Sequence, residues 1–176
     1  PMTIHSSRLG GDFSSPGATR KYAPDLGLEP VDLALSVRLD IAGRTVHGES
    51  TTTVLVRDPG ATLRLDAIDL DDVTVSEPDG HAIDWHYDGE HIEVQWLDDA
   101  EAGDRRRVTV TWSVTAPLTG MLFDPERNWC ATDHETERAR YWLPCVDHPN
   151  VRTTLSIDIR ADRALTALAN GAQGST

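Results

Sequence analysis

The chain has 176 residues, with 16 Lys and Arg against 29 Asp and Glu, a formal net charge of −13. That length suits one domain and is enough to bury a core without metal or disulfide staples. The acid excess excludes a basic face for nucleic acid and gives no reason to expect an anionic membrane as partner. No run of 18 apolar residues occurs, so no membrane-spanning helix is expected. Two cysteines, Cys130 and Cys145, form no disulfide framework and read as thiols of a reducing compartment, which predicts a cytoplasmic protein. Pro1 to Ala23 is rich in Ser, Gly and Pro and lacks an apolar signal core, so residues 1–27 are expected to be a disordered leader.

From Val31 the apolar residues take every second position: Val31, Leu33, Leu35, Val37, Leu39 and Ile41. Such alternation predicts a strand with one buried and one wet face. Gly43-Arg44 turns the chain into a partner strand rich in Thr and Val, Val46 to Val56. Asp58-Pro59-Gly60 is a turn by its own chemistry. Leu63, Leu65, Ile68 and Leu70 predict a third strand, and Val73 and Val75 a short fourth, closed by Glu77-Pro78-Asp79-Gly80. Ile83, Trp85 and Tyr87 alternate; so do Ile92, Val94 and Trp96. Asp88-Gly89 between them predicts a hairpin. Val108 to Val114 and Val151 to Ile159 are the last alternating runs. No window carries a helical period with caps; Thr132 to Arg140 holds helix formers but is short and polar. The expectation is an all-β chain, an antiparallel β-sandwich with a long functional loop near residues 117–150.

That loop gathers two Trp, a Tyr and both Cys, which speaks against disorder. Its His134-Glu135-Thr136-Glu137-Arg138 starts like the zinc-peptidase helix H-E-x-x-H. The fifth position, however, is Arg138, which has no lone pair to give a metal. No metal ligand is therefore assigned in this chain. No nucleophile elbow, phosphate loop or dinucleotide fingerprint occurs, so no catalytic residue is assigned either.

The stretch Thr132-Asp133-His134-Glu135, then Ala139-Arg140-Tyr141-Trp142-Leu143-Pro144-Cys145-Val146-Asp147-His148-Pro149, resembles T-Q-x-E-x-x-x-[AS]-R-Y-x-x-P-C-x-D-x-P. That pattern ends the N-terminal β domain of the gluzincin zinc aminopeptidases, the aminopeptidase N family. Gly120-Met121-Leu122-Phe123 and Leu168-Ala169-Asn170-Gly171 resemble its flanks. The resemblance implies a saddle-like β domain over residues 28–171, with 172–176 as a tail, ending before the strands that usually close such a domain. It implies a zinc-bearing catalytic domain elsewhere in the same polypeptide, with H-E-x-x-H, a distal Glu ligand and a G-A-M-E-N loop, none of them in these residues. It also implies a role for Glu135, which would hold the free α-amine of a peptide substrate, while Asp133, where the family has Gln, would line the first specificity pocket. A carboxylate at Asp133 is expected to alter the side-chain preference or to favour a basic first residue. Arg140, Tyr141, Pro144, Cys145, Asp147 and Pro149 are implied as scaffold, with Arg140 and Asp147 as an ion pair. The expected function is thus a non-catalytic domain that lines the cleft of a zinc aminopeptidase. Its expected partners are the catalytic domain and the peptide N-terminus, with self-association through any bared apolar face. The alternative is a non-enzymatic binding or assembly module derived from that family.

Overall fold

Alternating apolar residues build the first sheet strand by strand. A computed structural model describes residues 26–172 and 174. In it β1 (Leu28–Asp40) and β2 (Thr45–Val56) form a long antiparallel hairpin. Its turn is fixed by Asp40, whose carboxylate accepts the Gly43 N–H at 2.9 Å, and by Arg44 at φ 53°. The strands β3 (Leu63–Asp66), β4 (Asp71–Ser76), β5 (Ile83–Tyr87), β6 (His91–Trp96) and β7 (Arg105–Thr115) follow in order. A small hairpin, β8 (Met121–Asp124) with β9 (Trp129–Thr132), and a final strand, β10 (Thr154–Arg160), complete the set. One sheet runs β10-β1-β2-β7-β4, and the second β3-β6-β5. Leu33, Leu35 and Val37 on β1, Val46 and Val54 on β2, and Val108 and Val110 on β7 share one core with Leu63, Leu65, Ile92 and Val94 of the second sheet. This is the expected all-β layered fold.

The differences from the sequence pattern have local causes. A register shift between Pro30 and Asp32 bulges β1, so Leu28 and Pro30 are buried ahead of Leu33 although the spacing between them is odd. The third strand stops at Asp66 instead of running to Leu70. There the backbone leaves β6 and turns through Asp69 at φ 52°, and the Ile68 N–H goes to the Arg140 carbonyl at 2.8 Å. β10 adds to β1 in parallel, while every other pairing is antiparallel among the described strands. The loop near 117–150 is not strand-free: β8 and β9 pair within it. Thr132 to Arg140 makes no α-helix, only a three-residue 3-10 turn at Ala139–Tyr141. Of the expected leader, Leu26 and Gly27 alone are described. Gly27 is tied in, its carbonyl accepting the N–H groups of Arg57 and Asp58 at 2.8 and 2.9 Å. The rest of the leader and most of the tail lie outside the described residues. No helix among the described residues is long and apolar enough to cross a membrane.

Two features of the fold position the site. Gly48 on β2 stands opposite Trp112 on β7, and a Cβ there would lie 2.2 Å from the indole Cζ2. The missing side chain is the slot in which Trp112 lies flat and buried. On the other flank, Leu155 and Ile157 of β10 keep 55% and 40% of their area exposed. With Leu35, Val37, Trp129 and Trp142 they line an open apolar groove of about 610 Å³.

Candidate functional site

The motif-bearing loop is held to the sandwich by a ladder of side chains that begins in the core. Trp112 donates its indole N–H to the carbonyl of Trp142 at 2.8 Å, a buried bond from β7 to the segment after the 3-10 turn. Trp142, itself buried, donates its own indole N–H to His134 Nε2 at 3.0 Å. The two rings lie side by side, centroids 5.7 Å apart and planes 28° apart. The imidazole must therefore be neutral at Nε2 with its proton on Nδ1. Burial against the indole pushes His134 below its ordinary value, and outweighs Asp147 and Asp133, which pull it up.

Asp133 and Glu135 flank His134 on the surface. The Asp133 N–H is bonded to the Gly120 carbonyl at 3.0 Å. Gly120 has φ +81°, and a Cβ on it would sit 2.0 Å from the Arg138 carbonyl oxygen, so only glycine fits beneath the loop. The Asp133 carboxylate accepts the Glu135 N–H at 3.2 Å and the Arg138 guanidinium at 2.9 Å. It is thus spent on bracing its own loop, and its charge is matched by Arg138. Glu135 is exposed, and among the described residues its carboxylate has no partner. Neither Asp133 nor Glu135 lines the apolar groove or the polar cavity described next, so a second surface is needed to enclose anything they hold.

The remaining motif residues brace the crossing from the loop back to the second sheet. Arg140 bonds the Asp147 carboxylate at 3.1 Å, the Asp147 carbonyl at 2.9 Å and the Asp66 carboxylate at 3.2 Å, with Glu137 at 3.5 Å. Asp66 also accepts the Asp147 N–H at 2.9 Å, and its backbone exchanges two hydrogen bonds with Cys145. Asp66, Glu137, Arg140 and Asp147, with His91 and His148, line a cavity of about 420 Å³. Its acids are engaged by Arg140 and by backbone N–H groups, a structural use. Pro144 is fully buried, Tyr141 half-buried and Pro149 exposed. Cys145 and Cys130 are free thiols, and burial pushes both above the ordinary thiol value. Among the described residues no group of three His, Cys, Asp or Glu side chains is arranged to hold a metal ion, so the residues present do not fit a zinc site.

Sequence reasoning weighed His134 only as half of a failed zinc motif, took Gly120 only as part of a flanking segment, and passed over Asp66 and Gly48. Gly48 offered a signal, a residue without a side chain in the middle of a strand pattern, which marks a close approach by another group. Asp66 offered none, because it meets Arg140 across 74 positions of chain.

A sequence model of the Peptidase M1 N-terminal domain matches residues 21–176. The chain belongs to that family. Among solved structures the M1 N-terminal fold recurs in an M1 zinc metallopeptidase from Deinococcus radiodurans, at TM-score 0.70 and 21% identity over 85% of this chain. A mutant of the Deinococcus radiodurans enzyme bound to a Tyr-Ser-Ala substrate matches equally, at TM-score 0.70 and 21% identity over 85% of this chain. A two-domain M1 zinc metallopeptidase mutant bound to L-arginine matches at TM-score 0.68 and 22% identity, again over 85%. In each case this chain spans 36% of the length of the matched chain. At such identities the likeness concerns the fold.

Proposed function

We propose that this M1 N-terminal domain forms the rim of a peptidase cleft, where Glu135 receives the free α-amine of a peptide substrate. The observation that carries the reading is the state of Glu135: an exposed carboxylate without a partner among the described residues, on a loop pinned by Asp133, His134 and Arg138. A carboxylate fixed at the surface of a rigid loop measures where an ammonium group ends, provided a second surface closes over it. The catalytic zinc domain of the same polypeptide is the partner this requires, and a peptide hydrolase the activity. In this reading the metal ligands and the catalytic groups come from that domain and not from this one. The pairing of Asp133 with Arg138 leaves little net charge for a specificity pocket, which argues against the preference for a basic first residue. The two free thiols accord with a cytoplasmic setting.

The test is Glu135→Gln in the full-length protein. Losing a charge-assisted hydrogen bond worth about 1.5–3 kcal/mol should raise KM for free-amine substrates roughly 10- to 100-fold. N-acetylated substrates should gain no comparable penalty. An unchanged KM refutes the assignment. A full-length reading frame without H-E-x-x-H and a distal Glu would instead support the non-enzymatic binding module, which Asp133 in place of Gln also accommodates.

A further inference from the structure

His134 stands between the two residues that resemblance singles out; the residue is exposed, yet one face and Nε2 of its ring lie against the buried Trp142. Its Nε2 accepts the Trp142 indole N–H, and Trp142 in turn hangs on Trp112 in the central sheet. The other ties of the segment from Asp133 to Glu135 among the described residues are the Asp133 N–H to the Gly120 carbonyl and two bonds to Arg138, itself a loop residue: its guanidinium to the Asp133 carboxylate and its N–H to the His134 carbonyl at 3.4 Å. His134 is therefore the side-chain link between the core and the peptide unit that carries Glu135. That link exists in one protonation state. A proton on Nε2 turns the acceptor into a second donor facing the indole N–H, and two donors repel.

We propose that His134 is a positioning residue for Glu135, and that mild acidification unlatches it from Trp142 and loosens the hold of the loop on a substrate amine. This rests on the reading of Glu135 given above. The charged and titratable groups around the imidazole are Asp133 and Arg138 on its own loop and Asp147 on the segment after the 3-10 turn. Cys130 on β9, with Asp162 and Arg163 beyond β10, lines the same groove as His134. Burial against Trp142 favours the neutral ring, while Asp133 and Asp147 favour the charged one. The sign follows from linkage. With the imidazole held below its unfolded value near 6.5, the latch contributes fully above that pH and is lost as pH falls from there through the folded value.

The experiment uses the full-length protein with 5-fluorotryptophan, the Trp142 resonance being assigned by Trp142→Phe. Expected is a Trp142 signal that titrates with a midpoint below 6.5 and is flat in His134→Gln, which retains an acceptor but cannot titrate. In parallel, KM for a free-amine substrate is compared between wild type and His134→Gln at pH 7.5 and 5.5. Their ratio cancels every pH effect common to the two proteins. The ratio should rise about fivefold at the lower pH, equivalent to about 1 kcal/mol. His134→Phe, which keeps the stacking but not the acceptor, should show the raised KM already at pH 7.5. A Trp142 signal that does not follow His134 overturns the latch. A titrating Trp142 with an unmoved KM ratio overturns the positioning role. Glu135→Gln run alongside separates these outcomes from failure of the amine assignment itself, since only that failure leaves its KM at the wild-type value.

Discussion

Replacing Gly48 by Ala tests the ladder at its foot. The new Cβ would lie 2.2, 2.5 and 2.7 Å from Cζ2, Cε2 and Cη2 of Trp112, where ordinary carbon contacts are about 3.5–4.0 Å. The indole must retreat by more than about 1 Å or β2 must part from β7. Overpacking of this kind costs about 1–3 kcal/mol. Retreat also breaks the 2.8 Å bond to the Trp142 carbonyl and leaves a buried donor unpaired, about 1–3 kcal/mol more. The better backbone entropy of Ala returns roughly 0.5–1 kcal/mol. A net loss of about 3 kcal/mol is expected, read as a lower urea midpoint at unchanged slope. The decisive measurement is a double-mutant cycle with Trp112→Phe, whose smaller ring removes both the clash and the bond. In that background Gly48→Ala should cost less than about 1 kcal/mol, a coupling of about 2 kcal/mol. Additive effects, or a neutral single variant, would refute the claim that Gly48 exists to seat the indole.

Arg140→Met should destabilise by about 3 kcal/mol in urea unfolding, because it leaves Asp66, Asp147 and Glu137 facing one another without the guanidinium that separates them. Arg140→Lys should lose roughly half as much, since it keeps the charge and forfeits the forked contacts. Both thiols should resist iodoacetamide at pH 7.5 and label fully in denaturant, as burial raises Cys130 and Cys145 alike; rapid labelling of native protein would contradict their packing.

The strands were legible because their alternation is a local property. Leu33 to Val37 and Val108 to Val114 report which face is wet without reference to anything distant. The Asp88-Gly89 hairpin was legible for the same reason: Gly89 takes φ 93°, and Asp88 accepts the N–H groups of Glu90 and His91. What failed was non-local. Ile68 looks like strand continuation, but its N–H is claimed by Arg140 from another part of the chain. β8 and β9 are four residues each, too short for a period to declare itself. At the site, the motif pointed to Glu135 and Asp133 as residues, while the roles of Asp133 and His134 depend on Arg138 and Trp142. A side chain's partner is not written in its spacing.

The parallel seam between β1 and β10 has a consequence for how the sheet assembles. β1 finds β2 across a short turn, but its other edge waits for a strand 122 positions away, Asp32 opposite Thr154. Chain-closure entropy for such a pairing is recovered only after the intervening strands are in place. During synthesis that edge of β1, with its open row of N–H and C=O groups, stands uncovered until nearly all of the chain described here has emerged. An unpaired edge beside Leu35 and Val37 is a template for wrong partners. The seam that completes the sheet is accordingly the place where misassembly begins if folding is slowed.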